Sequence, residues 1–279
     1  MTLVPAGALI EDAAAAGRAV AAFNVITLEH AEAIAAGAAR AGRGVILQLS
    51  ENAVRFHGGA YRPLLLACRE LASSSAVPLA LHLDHVETET LADAIITDAA
   101  ELGVGSLMVD ASQHPYEQNV AVTARLAHRA HIADLWVEAE LGQVGGKDGA
   151  HAPGARTDPD EAAAFVKATA VDGLAVAVGS SHAMSSRTAS LDLELIARLA
   201  AAVPVPLVLH GSSGVPDAAL LDAVGAGIRK VNIGTALNVA GTASLRAALE
   251  ADTVDPRAAL SAARDAMADV VAHYVQLLG

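Results

Sequence analysis

Eight times along this chain a short run of small and branched apolar residues is followed by a stretch suited to a helix, and few folds can accommodate that alternation. The runs are VAAFNV (Val20–Val25), GVILQLS (Gly44–Ser50), PLALHLDH (Pro78–His85), SLMVDAS (Ser106–Ser112), LWVEAELG (Leu135–Gly142), GLAVAVGS (Gly173–Ser180), PLVLHGSSG (Pro206–Gly214) and KVNIGT (Lys230–Thr235). Strands this uniformly apolar belong to a parallel sheet buried on both faces, with the intervening helices as its cover. Eight such units in 279 residues predict an α/β fold, a closed (β/α)8 TIM barrel that takes the whole chain, 1–279, as a single domain. A short helix near Pro5–Gly17 precedes the first strand and an extra helix follows the last unit. An open doubly wound sheet more often uses fewer strands and a glycine-rich turn after the first, and no G-x-G-x-x-G follows VAAFNV.

A barrel of this kind gathers whatever stands at the C-terminal ends of its strands around one mouth. Those ends carry Asn24, Ser50 with Asn52, Asp84 with His85, Asp110 with Ser112, Glu138 with Glu140, Gly179 with His182, His210 with Gly211, and Asn232 with Thr235. His85, His182 and His210 come from strands three, six and seven, and three imidazoles with an open fourth position suit a catalytic zinc. Asp84, directly before His85, is a candidate general acid/base. Asp110 and Glu140 have three readings: partners of the histidines, an alternative and more buried metal position, or interior carboxylates paired with a His or Lys. Gly211, Ser212, Ser213 and Gly214 follow strand seven, and Asn232, Ile233, Gly234 and Thr235 end strand eight. Barrels commonly build a phosphate site there from loop amides and a helix N-terminus. Asn24 and Ser50 are further candidate substrate contacts, while Arg55 and His57 read either as contacts to a substrate anion or as solvated loop charges.

A net charge of −13 argues against nucleic acid or an anionic membrane as the main partner, so an anionic substrate must find local positive charge. Cys68 is the only cysteine, which excludes an intrachain disulfide and fits a reducing compartment. With no signal-peptide pattern and no apolar run of membrane-spanning length, the expected location is cytoplasmic. No lysine stands at a strand's C-terminal end, where a Schiff-base mechanism would need one.

Taken in order, LALHLDH, VDAS, VEAELGQVGG, VGSSH, PLVLHGSSGVP, KVNIGT and the DPR at Asp255–Arg257 resemble the successive motifs of class II, metal-dependent ketose-bisphosphate aldolases, the fructose- and tagatose-bisphosphate family. That resemblance runs from Val20 to the final helix. It implies reversible cleavage of a ketose (bis)phosphate to dihydroxyacetone phosphate and an aldehyde, through an enediolate stabilised by Zn2+ or another divalent ion. It also implies a monovalent cation, Na+ or K+, near the phosphate site, and a homodimer or homotetramer. By position, Asp84 resembles the family's acid/base, and His85, His182 and His210 its metal ligands. Asp110 and Glu140 resemble the carboxylates near the alternative metal position, and Gly211–Ser213 with Asn232–Thr235 the segments that hold dihydroxyacetone phosphate. Arg257 resembles the arginine that reaches the distal phosphate from a neighbouring subunit.

Three positions depart from the family pattern. Lys147, Asp148 and Gly149 occupy the place of a Glu that acts on the C3 proton, which makes Asp148 the expected base. Its loop carries Gly142, Gly145, Gly146, Gly149 and Gly154 and is expected to move. Ala183 replaces a Gly, and Gly234 stands where the two branches have Asp or Ala. The departures keep two alternatives open: a related metal-dependent lyase or isomerase acting on another phosphorylated keto compound, and a sugar-phosphate-binding barrel without activity.

Overall fold

In the computed structural model, which describes residues 2–141, 156–180, 187–249 and 254–279, eight parallel strands close into a barrel in sequence order. They are β1 (Val20–Asn24), β2 (Val45–Ser50), β3 (Leu79–Val86), β4 (Ser106–Val109), β5 (Trp136–Glu140), β6 (Gly173–Ala175), β7 (Leu207–Leu209) and β8 (Ile228–Ile233). The (β/α)8 architecture expected from the alternation is therefore observed. Strands six and seven are shorter than the apolar runs that announced them.

Period-two alternation divides the barrel residues into two populations. Ala21, Phe23, Leu47, Leu81, Leu83, Val137, Leu209 and Val231 pack outward into the main core. The covering helices are α2 (Leu28–Ala41), α4 (Arg62–Ser74), α5 (Glu89–Leu102), α6 (Tyr116–Ile132), α7 (Pro159–Thr169), α8 (Leu193–Ala202), α9 (Asp217–Ala226) and α10 (Thr235–Ala248). A final helix, α11 (Arg257–Leu278), packs on α2 and α10. Gly37 of α2 permits this closeness, since a Cβ there would sit 2.6 Å from Val271 Cβ.

The inward population is layered. At the bottom Val20, Ala22, Ile46 and Ala80 pack against Ala6, Ile10 and Ala13 of α1 (Ala6–Ala15), so the N-terminal helix plugs that end. Trp136 joins the plug, and Gly7 and Gly173 make room for its ring; a Cβ on Gly173 would lie 2.3 Å from Trp136 Cη2. Above this apolar layer Gln48, His82, Ser106, Glu138 and Lys230 are all fully buried, beside a small apolar cluster of Met108, Ala175 and Val208. Asp84, Asp110, Glu140, His210 and Asn232 follow them toward the mouth, each at least nine-tenths buried.

Local signals set several boundaries. Asp158 caps α7 by accepting from the amides of Asp160 and Glu161, both at 3.0 Å. Helices α2 and α5 end on left-handed glycines, Gly42 and Gly103, whereas α7 ends on left-handed Ala170. The stretch Ser50–Gly59, read from sequence as a loop, contains a short helix α3 (Glu51–Phe56) whose N-cap Ser50 accepts from Ala53 N.

Candidate active site

Strict alternation would turn His85 away from the barrel, because Asp84 before it points in. The structure resolves the conflict with a register shift between Leu83 and Val86 and a left-handed backbone at His85, φ 48°. Such a conformation costs a non-glycine residue about 1–2 kcal/mol, and here it brings two consecutive side chains to one mouth. His85 Nδ1 lies 2.7 Å from Asp110 Oδ2, and its ring meets His210 edge to face with centroids 4.7 Å apart. Asp110 is itself held by the amide and hydroxyl of Ser112. On β7's exit, His210 Nε2 lies 2.9 Å from Glu138 Oε1, and its Nδ1 is 3.7 Å from Glu140 Oε2.

Among the described residues two sets of ligand-type atoms converge within 4.8 Å: Asp84, His85 and His210, and then His85, Asp110 and Glu140. Neutral imidazoles beside carboxylates fit a divalent cation of the zinc type. A carboxylate behind each histidine is the arrangement that fixes ring orientation at such centres. His182, the third predicted ligand, and Asp148, the predicted base, both lie outside the described residues, as does Ala183.

Asp84 sits at the centre of a network of amides. Its Oδ2 accepts from Asn24 Nδ2 at 2.9 Å and its Oδ1 from Asn232 Nδ2 at 3.2 Å. Gln48 Nε2 in turn donates to Asn24 Oδ1 at 3.0 Å. Burial opposes ionisation of Asp84, but His85, His210 and Lys230 outweigh it and lower the carboxyl to about 2. Burial likewise lowers His210, so its ring is neutral at neutral pH, the form that ligates a metal. Lys230, which sequence reading placed at the start of a strand, is fully buried inside the barrel and bonds Glu138 Oε2 at 2.7 Å. Glu138 belongs to this deeper layer and not to the mouth; the Lys230 ammonium overrides its burial and holds it well below the usual carboxylate range.

On the far side, Gly211 is left-handed (φ 68°) and starts a tight turn, Ser212–Gly214. The Ser212 hydroxyl donates to the carbonyl of Asn232 at 2.5 Å, and Ser213 Oγ accepts from Ala236 N at 3.1 Å. Ser212 thus ties the turn to the end of β8, and Ser213 ties it to the first turn of α10, which begins at Thr235. Gly234, after Ile233, has no room for a side chain, since a Cβ would sit 2.8 Å from Asn24 Oδ1. Arg55 is engaged by Glu51, Asn52 and Glu87, and His57 Nε2 lies 2.7 Å from Ile26 O. Neither is a loose loop charge. Arg257 begins α11 with a side chain 88% exposed and paired to Asp255.

A family model described as fructose-bisphosphate aldolase class-II matches residues 4–279. The chain belongs to this family. It is an aldolase, a carbon–carbon lyase of class II. Among solved structures it is similar to the YdjI aldolase from Escherichia coli K12, at 31% identity over 99% of this chain and 97% of that one, with a TM-score of 0.85. A putative fructose-1,6-bisphosphate aldolase from Coccidioides immitis is 26% identical over 98% and 95%, TM-score 0.87. The fold is shared with fructose-bisphosphate aldolase from Campylobacter jejuni, 22% identical over 99% and 95%, TM-score 0.82. Class II aldolases are generally metal-dependent, and the clusters around His85 supply ligands of the right type for the ion. None of the described helices is long and apolar enough to cross a membrane.

Proposed function

We propose that this class II aldolase binds zinc through His85, His210 and His182 and reversibly cleaves a ketose (bis)phosphate to dihydroxyacetone phosphate and an aldehyde. The observation that carries this reading is the convergence of Asp84, His85 and His210 beside the Gly211–Gly214 turn. A bound divalent ion would supply the Lewis acid that lets a ketose C3–C4 bond open without a Schiff base. Asp84, held ionised and aimed by two amides, takes the proton of the C4 hydroxyl during cleavage and returns it during condensation. Asp148 is assigned the C3 proton. Asp110 and Glu140 orient His85 or hold the ion at its deeper position. Amides of Gly211 and Ser213, with that of Gly234 at the N-terminus of α10, bind the substrate phosphate with a Na+ or K+ nearby. Arg257, exposed at the start of α11, serves the distal phosphate in the neighbouring subunit of a homodimer or homotetramer. The protein works on small phosphorylated sugars in the cytoplasm, with neither nucleic acid nor membrane as partner.

A second reading, a related lyase or isomerase on another phosphorylated keto compound, is favoured by Gly234. A side chain there would collide with Asn24, so this mouth differs in shape from one that carries Asp or Ala at that point. Metal analysis with an aldol assay distinguishes the readings. About one zinc per chain is expected, lost in His210→Ala, with dihydroxyacetone phosphate condensing onto an aldehyde from a screened set. Full metal content and activity in His210→Ala would remove the proposed site, and a metal-loaded protein that condenses no aldehyde would favour the second reading.

A further inference from the structure

Asp84 and His85 share one mouth only because the chain turns left-handed at His85, and a conformation so disfavoured persists only where its surroundings impose it. On the β4 side the ladder resumes at once: Val86 pairs with Val109, and its carbonyl accepts from Asp110 N at 2.9 Å. On the β2 side it does not. The β2–β3 register ends at Ser50 and Asp84, where β2 gives way to α3. The residue after Ser50 is Glu51, only 4% exposed, and its carboxylate takes over as acceptor. Oε2 accepts from the amides of Glu87 at 2.7 Å and Thr88 at 2.9 Å, and Oε1 from the Thr88 hydroxyl at 2.5 Å. Arg55, one turn further along α3, donates to the same Oε1 at 2.6 Å and seats the carboxylate from outside. Burial opposes ionisation of Glu51, but the Thr88 and Glu87 bonds and Arg55 outweigh it and lower the carboxyl, which leaves the group with acceptors alone.

We propose that Glu51 is a positioning residue that holds the connection after His85, and with it the left-handed turn that keeps the His85 imidazole at the mouth. The inference rests on the proposed role of His85 as a metal ligand. Helix capping is the plainer reading of a carboxylate near α5, but a cap satisfies amides inside the first helical turn. The Glu51 bonds fall earlier, on Glu87 and on Thr88, the residue before α5 begins. These are the second and third residues after His85, on the flank where β3 has lost its neighbouring strand. Without the carboxylate the connection relaxes toward extended backbone, and alternation then turns the ring away from Asp84 and His210.

The backbone at His85 can be read in isotopically labelled, metal-free protein from the one-bond Cα–Hα coupling, which is smaller at positive φ than at negative φ. Wild type should report positive φ, and Glu51→Ala a value shifted toward negative φ. The same variant should bind Co2+ roughly 10- to 100-fold more weakly, with an altered absorption spectrum, and at saturating metal lose kcat with little change in KM. Glu51→Gln keeps an oxygen for the two amides and should return the coupling and the Co2+ affinity close to wild type. A Glu51→Ala protein with a lower urea midpoint but a wild-type coupling and Co2+ affinity would make Glu51 a purely structural residue and overturn the proposal. Glu51→Gln as impaired as Glu51→Ala would overturn it too, because the charge and not the acceptor would then matter. Should Glu51→Ala not fold, Glu51→Asp retains a buried carboxylate but withdraws it by one methylene; a shifted coupling with weaker Co2+ binding is expected, and wild-type values of both would sink the idea. The coupling needs neither metal nor substrate. If wild type binds no Co2+, the metal reading fails while the coupling still decides this one.

Discussion

Asp84 is the side chain on which the two halves of the mouth converge, with Asn24 on one oxygen and Asn232 on the other. Two donors on an ionised carboxylate make a base with fixed aim, and the proposed division of proton work between Asp84 and Asp148 can be tested at each residue. Asp84→Ala should keep its metal but cleave ketose phosphate about 10²- to 10⁴-fold more slowly, while solvent exchange of the C3 proton of dihydroxyacetone phosphate continues. Asp148→Ala should lose that exchange with metal binding intact. Exchange that survives in Asp148→Ala would place the base elsewhere, and His57 is the next candidate, because its Nε2–H donates to the Ile26 carbonyl and leaves the lone pair on Nδ1. Asp84, His85 and His210 were legible in the sequence because each ends an apolar run. Lys230, Gln48 and His82 were not: one polar residue inside a strand has no visible partner until closure brings Glu138, Asn24 and Ser106 beside it.

Among the elements, β3 shows where alternation fails and why. LALHLDH predicts a strand, but only the register shift and the left-handed His85 put both polar residues on one face, and no residue in the motif advertises that kink. Helix ends were easier to anticipate where chemistry marks them, as with Asp158 before α7. The other end of α7 carries no such mark: Ala170 adopts φ 54° in the position that Gly42 and Gly103 occupy after α2 and α5. Ala170→Gly should therefore stabilise the protein by roughly 0.5–1 kcal/mol, the left-handed strain relieved less the added freedom of the unfolded chain. Equilibrium denaturation in urea reads the change, and a lower midpoint would mean that the alanine is not strained. Helix α3 escaped the sequence reading because six residues are too few for a helical period to emerge.

For the molecule as a whole, the buried histidines link stability to pH. His82 is lowered by burial and by Lys230 to about 3, and burial lowers His210 too. Below pH 6.5 the unfolded chain takes up protons that the native state refuses, so stability falls as pH drops from 6.5 toward 3. For His82 the slope approaches about 1.4 kcal/mol per pH unit. Asp84, depressed to about 2, adds stability that is fully present above its ordinary value of 3.8 and lost as pH falls through 2. The urea midpoint of the metal-free protein should thus decline steadily from pH 6.5 to 4, and more shallowly in His82→Asn; an equal slope in that variant would show that His82 takes up its proton in the fold as readily as in the unfolded chain. The barrel was legible from its eightfold alternation, but the place of α1 was not, since an alanine-rich helix carries no address. That address, across the bottom of the barrel with Trp136, closes the lower end of the polar column with an apolar plug. If the proposed ion sits beneath the sugar, its exchange should slow when the sugar is bound, because the plug closes the way out below.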